Sequence, residues 1–423
     1  MSALIAAAAR TLWSAPTLFA LFAVFFSISR RAGFPQRRIF GALRGLVRRG
    51  GLKALGVPLS AVLGVGNITG MAAAVCLGGP GAVFWCFLAG LLGSGVQYAE
   101  CLVGIKKKSA QGVGAMYLLR AQGSPRTAAV YAAAVCLCGL LIGAAIPSGA
   151  AVQLALPGLS PGKALACGAS IALLSAAVIL GGKKLVQSIC AKIVPWLVLF
   201  YLALLAAILL SARGSILSAL RLILREAFAV RPAVSGLGGY GAAKAMHWGT
   251  ARGLFSSEAG MGTAAIAAQT DARSAPEARA AQCACCAVID TVLLSSLTGL
   301  AFTAAALETS AGFSDASGLM RAAFSLVPAA GGTLVTLCVG VLAFSTILGW
   351  YCIASCAHAY LFPGKKGRIL TFFWILAVLA GPIILGKTLW EICDIATLFL
   401  LVPNLTALWR ERSLLSGDGT TCT

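Results

Sequence analysis

Charge is the scarcest property of this 423-residue chain. Asp, Glu, Lys and Arg make up 11% of it, against about a quarter in ordinary soluble domains. Only 12 residues are acidic and only two, His247 and His358, are histidine. Two scattered histidines and no clustered acids supply neither a nucleophile–base pair nor a metal cluster, so an enzyme is not expected. No domain linker interrupts the chain, and its composition stays uniform from end to end. Cysteine is plentiful at 15 residues, yet no metal-ligand spacing is present. Cys283, Cys285 and Cys286 cluster without a histidine nearby, and the expectation is small, polarizable filler between packed helices, with neither disulfide nor metal.

What is there instead is apolar sequence: 59% hydrophobic residues and a mean hydropathy of +0.92. Eleven apolar stretches approach the ~20 helical residues needed to cross ~30 Å of hydrocarbon. They lie near 12–30, 55–76, 81–105, 127–152, 162–181, 187–211, 236–262, 282–306, 330–360, 368–386 and 388–409. A net charge of +21 would point to nucleic acid in a soluble protein; here it follows from basic residues on the cytoplasmic side of a membrane. Arg30, Arg31, Lys106, Lys107, Lys183, Lys184 and Lys365 fall in alternate loops. This pattern predicts the N-terminus outside, the C-terminus cytoplasmic and eleven spans. The first stretch, followed by a strongly basic loop, reads as a retained helix and not as a signal peptide. The polar excursion at 213–235 reads as an amphipathic helix on the outer surface, and 314–326 as a second short surface helix.

Setting the first span aside leaves ten, five and five, and an odd number per half forces the halves into opposite orientations. Each half should then open with a discontinuous helix. The first half does: Gly64, Gly66 and Gly70 fall within seven residues, with Asn67 and Thr69 between them, inside apolar sequence. The second half opens at 236–262, where Gly253, Gly260 and Gly262 flank Ser256, Ser257 and Glu258. Backbone that comes undone at membrane depth is tolerated only where protein or a cavity covers it. Two such breaks in corresponding places are therefore a pointer to a binding site.

At these segments the sequence resembles the alanine or glycine:cation symporter family. Gly64-Val65-Gly66-Asn67-Ile68-Thr69-Gly70, then Gly78-Gly79-Pro80-Gly81-Ala82-Val83-Phe84-Trp85 and Ala99-Glu100, follow one family signature; the run from Ala251 to Ala267 follows another. Ile289-Asp290-Thr291, Phe344 to Trp350 and Ile395 to Leu405 extend the likeness along almost the whole chain. The resemblance implies an all-α integral membrane protein with a leucine-transporter-type fold, a 5+5 inverted repeat with one extra N-terminal helix. It divides the chain into 1–54 (extra helix and basic loop), 55–212 and 236–412 (the repeats), 213–235 (the outer amphipathic segment) and 413–423 (a cytoplasmic tail). It also implies sodium-coupled import of small neutral amino acids, alanine and glycine above all. Proton coupling and a non-transporting amino-acid sensor stand as alternatives. The implied partners are the amino acid, Na+ and the lipid bilayer of the cell membrane, with no nucleic acid and no organic cofactor, in a monomeric protein.

The resemblance further assigns residues. Amides of Val65 and Gly66, beside Asn67, receive the substrate carboxylate; carbonyls around Phe255 and Ser256 meet its ammonium; Phe255 and Met261 close over its side chain. The physical basis is general: free N–H groups at a half-helix N-terminus favour an anion, and unwound carbonyls favour a cation. Sodium, the one metal expected, falls to the hydroxyls of Ser345 and Thr346 with carbonyls of Leu342, Leu63 and Ser60, a hard-oxygen set suited to an alkali ion. The chain departs from the family at Val65, where Thr is common, at Ile146-Pro147-Ser148-Gly149, where a Gln-containing patch is common, and at Gly114-Ala115-Met116-Tyr117. Arg252 and Glu258 are expected to be structural or gating charges. Glu258 has two readings, a functional carboxylate or a structural partner of Arg252 six residues earlier; Glu100, Asp290 and Asp394 are expected to be structural.

Overall fold

The structure is a computed structural model. It describes residues 11–37, 39, 41, 44, 56–109, 112–156, 158–229, 241–267, 275–327, 331–365 and 367–415. Parts of the stretches discussed above therefore lie outside the described residues: 45–54 of the basic loop, 230–235 of the amphipathic segment, 236–240 and the tail from 416.

Each of the eleven apolar stretches is largely helical where it is described, with interruptions near 63–68 and 258–262. The helices are Ala15–Arg31, Gly56–Val62 continuing as Thr69–Gly78, Ala82–Lys106, Pro125–Ala155, Pro161–Leu180, Lys183–Ser211, Gly241–Ser257 continuing as Thr263–Ala267, Pro276–Glu308, Gly331–Leu361, Arg368–Ile384 and Lys387–Arg410. Among the described residues seven helices are long and apolar enough to cross a membrane. Two shorter apolar ones, Val65–Gly78 and Arg368–Ile384, accompany them. No strand occurs among the described residues beyond an isolated bridge between Ser109 and Gly112. Prolines open several helices at their first turn, at Pro125, Pro161 and Pro276, where a missing N–H costs nothing. Leu173, Leu180, Trp196, Leu210 and Phe372 lie exposed on the outside, as apolar side chains do against lipid.

The two expected surface helices form at Ile216–Ala227 and Ala316–Ser325. In the first, Ala219, Ile223 and Ala227 point inward while Leu217, Leu220 and Leu224 are exposed. The second is capped by Asp315, whose carboxylate accepts from the N–H groups of Ser317 and Gly318 at 3.1 and 2.7 Å and satisfies donors that the first turn leaves free.

The centre of the molecule is built by close approach of small residues. The helix Gly241–Ser257 packs along Ala82–Lys106, and a Cβ on Gly253 would lie 3.0 Å from the Cys86 carbonyl oxygen. Gly253 is thus a packing residue inside a helix, and the second break falls after it. Gly90 and Gly93 approach Thr291 and Ala259. Two long helices contain a wide turn in which the N–H reaches one residue further back, at Gly139–Ala145 and Val288–Ser295, a distortion that recurs at functional sites. The first seats the Trp350 side chain against Gly143; the second carries Asp290.

Candidate functional site

The first broken helix stops at Val62, passes through a short tight turn at Val65–Asn67 and restarts at Thr69. The long helix Gly331–Leu361 runs directly against this gap. A Cβ on Gly64 would lie 2.6 Å from Thr346 Oγ1, so glycine there is a requirement of space. Thr346 Oγ1 lies 2.9 Å from the Leu342 carbonyl oxygen and 3.3 Å from that of Leu63. The Ser345 hydroxyl donates to the same Leu342 carbonyl at 2.9 Å. Four of the five residues assigned to sodium thus gather at one point. Ser60, whose carbonyl is the fifth, packs against Gly349 one turn along the same helix.

Asn67 is buried and faces away from the gap. Its Nδ2 donates to Asp290 Oδ1 at 2.7 Å, and its Oδ1 accepts from the hydroxyls of Ser256 and Ser295 at 2.6 Å each. Ser256 Oγ also lies 2.6 Å from Asp290 Oδ2, which accepts from Thr291 at 2.8 Å. Asp290 therefore stitches the two broken helices together. That role was not legible in the sequence, because the partners stand 223 and 34 residues away; the only signal was an acidic residue inside an apolar run.

The second helix ends at Ser257, and the chain unwinds over Glu258–Gly262 before Thr263. Glu258, Gly260 and Gly262 all adopt positive φ, at 55°, 87° and 78°. Side chains from three other helices hold this unwound backbone. Gln97 Nε2 donates to the Ser257 carbonyl at 2.9 Å, Tyr131 to that of Met261 at 2.6 Å, and Asn404 Nδ2 to that of Gly260 at 2.8 Å. Asn404 Nδ2 also reaches Glu100 Oε1 at 2.7 Å. Buried backbone groups that a helix no longer pairs are thereby satisfied.

Between the two gaps lies a small cavity. Gly64, Val65, Gly66 and Thr346 form one side; Phe255, Ser256 and Glu258 form another; Ile142, Ile146, Pro147 and Trp350 complete an apolar wall. Of the residues assigned to substrate, Val65, Gly66, Phe255 and Ser256 line it. Asn67 is spent on Asp290, and Met261 is buried with its carbonyl held by Tyr131; neither lines the cavity.

Arg252 does not pair with Glu258. Its Nη2 lies 2.5 Å from both carboxylate oxygens of Asp394, in the interior of the protein. The guanidinium carbon stands 5.0 Å from the Trp390 ring centre, 5.4 Å from Phe255 and 5.6 Å from Trp248, within cation–π range. The Phe255 and Trp390 rings are 5.3 Å apart. Phe255 lines the small cavity, while Trp390 lines a wider cleft that also touches Thr69, Gln153 and Arg321. The two rings thus meet between the cleft and the cavity, with the Arg252 guanidinium beside both.

The sequence profile of the sodium:alanine symporter family matches residues 1–414. The chain belongs to that family. A sodium/alanine symporter of Methanococcus maripaludis is 32% identical over 371 residues, covering 84% of this chain and 80% of its own. A transporter of Haemophilus influenzae is 30% identical over 425 residues, covering 96% and 92%. A sodium/proton-dependent alanine carrier of a Bacillus species is 27% identical over 388 residues, covering 84% of each. The sodium:alanine symporter family consists of transporters, and this member, with its apolar helices, is a transmembrane protein.

Proposed function

We propose that this protein is a sodium-coupled importer of small neutral amino acids of the alanine and glycine class, working by alternating access and not as an enzyme. The observation that carries this reading is the small cavity between two helix breaks. The amides of Val65 and Gly66 stand at the N-terminal end of Thr69–Gly78 on one side, and the last carbonyls of Gly241–Ser257 stand on the other. Such an arrangement has opposite polarity at its two ends, as a zwitterion does. The limited volume and the wall of Ile142, Ile146, Pro147 and Trp350 favour a short apolar side chain. Sodium falls to the oxygens of Leu63, Leu342, Ser345 and Thr346.

The same reading takes the fold as leucine-transporter type: eleven spans, an inverted repeat of 55–212 and 236–412, and one extra N-terminal helix. It places the N-terminus outside the cell membrane and the C-terminus in the cytoplasm, with the Phe255 and Trp390 rings and the Arg252–Asp394 pair on the outer side of the substrate. The protein acts as a monomer.

The test is uptake of labelled alanine and glycine by proteoliposomes under an inward sodium gradient, against a choline control. Accumulation that collapses with the sodium gradient is expected. Accumulation driven by a proton gradient in choline medium would replace the coupling ion. Binding without accumulation would make the protein a sensor.

A further inference from the structure

Glu258 is the one acidic residue in the cavity wall, and its partner is unassigned. It is buried, and it holds φ at +55°, a conformation uncommon outside glycine. The clamps on Ser257, Gly260 and Met261 bracket it on both sides, so the backbone is constrained to present this side chain where it stands. The neutral side chains of Thr263 and Trp350 lie against its carboxyl group. The nearest cation in sequence, Arg252, is committed to Asp394, and no Lys, Arg or His stands among the described residues lining the cavity. A carboxylate at membrane depth without a cation is costly and calls for one from outside the chain.

We propose that Glu258 receives the ammonium group of the substrate and thereby restricts the site to amines. The inference rests on the transporter reading above and adds to it a named specificity residue. The substrate carboxylate turns toward the free amides of Val65 and Gly66, and its ammonium turns toward Glu258 and the neighbouring end of Gly241–Ser257. Both groups there carry negative charge or the negative end of a helix dipole. The sodium oxygens of Leu63, Leu342, Ser345 and Thr346 lie at the first break and the long helix Gly331–Leu361, and Thr346 shares the cavity wall with Glu258.

The experiment measures ligand-induced thermal stabilisation of the full-length protein in detergent at saturating sodium. The ligands are alanine and propionate, the same skeleton with hydrogen in place of the ammonium. The variant is Glu258→Gln, which keeps size and hydrogen-bonding capacity and removes the charge. A charged hydrogen bond is worth ~1.5–3 kcal/mol, about 10- to 150-fold in affinity. Alanine should weaken by that factor in Glu258→Gln while propionate changes less than about threefold, so the preference for alanine collapses. Equal weakening of both ligands would overturn the proposal and leave Glu258 structural. Unchanged alanine affinity would overturn it, and a shifted midpoint in a parallel sodium titration would make Glu258 a sodium ligand instead. A wild-type protein that binds no alanine at all would overturn the transporter reading, and this inference with it. Should Glu258→Gln not fold, Glu258→Asp decides: a retained alanine preference supports the proposal, and a lost one refutes it.

Discussion

The two helix breaks do similar topological work by different physical means. The first, Leu63 to Ile68, uses no left-handed residue: Gly64 sits at φ −141°, within reach of any side chain. The second places three residues in five at positive φ. The first broken helix carries no charged residue between Gly56 and Gly78, and it is held by hydroxyls and by the Asn67 amide on the Asp290 carboxylate. The second is held by an ion pair, two amide side chains and a tyrosine reaching in from other helices. The second break is clamped at several points from other helices. The first rests on fewer hydrogen bonds, as would suit the backbone proposed to meet sodium.

The largest effect should come from cutting the anchor of the second break. Arg252→Ala leaves Asp394 buried without its partner, and breaking such a pair costs about 3–5 kcal/mol. The thermal unfolding midpoint in detergent should fall steeply, and the double variant Arg252→Met/Asp394→Leu should recover most of the loss. A drop worth less than ~1 kcal/mol for Arg252→Ala would mean that the ion pair does not anchor this region.

A matched pair of glycine substitutions sharpens the contrast. Gly262→Ala meets a backbone penalty, at φ +78°, and two close atoms, the Tyr131 hydroxyl at 2.6 Å and Asn404 Oδ1 at 2.7 Å from the new Cβ. Strain of this kind costs about 1–3 kcal/mol. Gly64→Ala meets only Thr346 Oγ1 at 2.6 Å, so the further change Thr346→Ala should relieve it. Rescue of Gly262→Ala by Tyr131→Phe should fail, because the positive φ and the Asn404 Oδ1 contact at 2.7 Å both remain. If both glycine variants were rescued alike, the difference between the breaks would be one of crowding alone.

Much of the scaffold was legible in the sequence, because apolar runs of span length and glycines beside polar residues report on local backbone demands. What holds the breaks was not. Arg252 and Glu258 stand six residues apart, a spacing that puts them on different faces of a helix, and the true partner of Arg252 lies 142 residues on. Tyr131, Asn404 and Gln97 meet the second break from 130, 144 and 160 residues away. Nothing in their own neighbourhoods marks them as clamps. Gly253 looked like part of the break by composition, yet it is a helix-packing residue; only the partner surface of Cys86 and Ala89 distinguishes the two uses.

The smallest expected change in stability, and the most informative about function, is at the first break. Thr346→Val keeps the shape of the side chain and removes the hydroxyl that lies between the Leu63 and Leu342 carbonyls. A neutral hydrogen bond contributes about 0.5–1.5 kcal/mol, so the fold should survive. Removing one of a handful of hard-oxygen ligands should nonetheless raise the sodium concentration for half-maximal uptake more than about tenfold, a shift of ~1.4 kcal/mol. Thr346→Ser retains the hydroxyl and should stay within about threefold of wild type. Sodium activation unchanged in Thr346→Val would remove this hydroxyl from the cation site. Loss in Val and Ser alike would point to packing against Gly64, where the threonine methyl sits 3.5 Å from the point a Cβ on that glycine would occupy, and would make the first break as dependent on shape as the second.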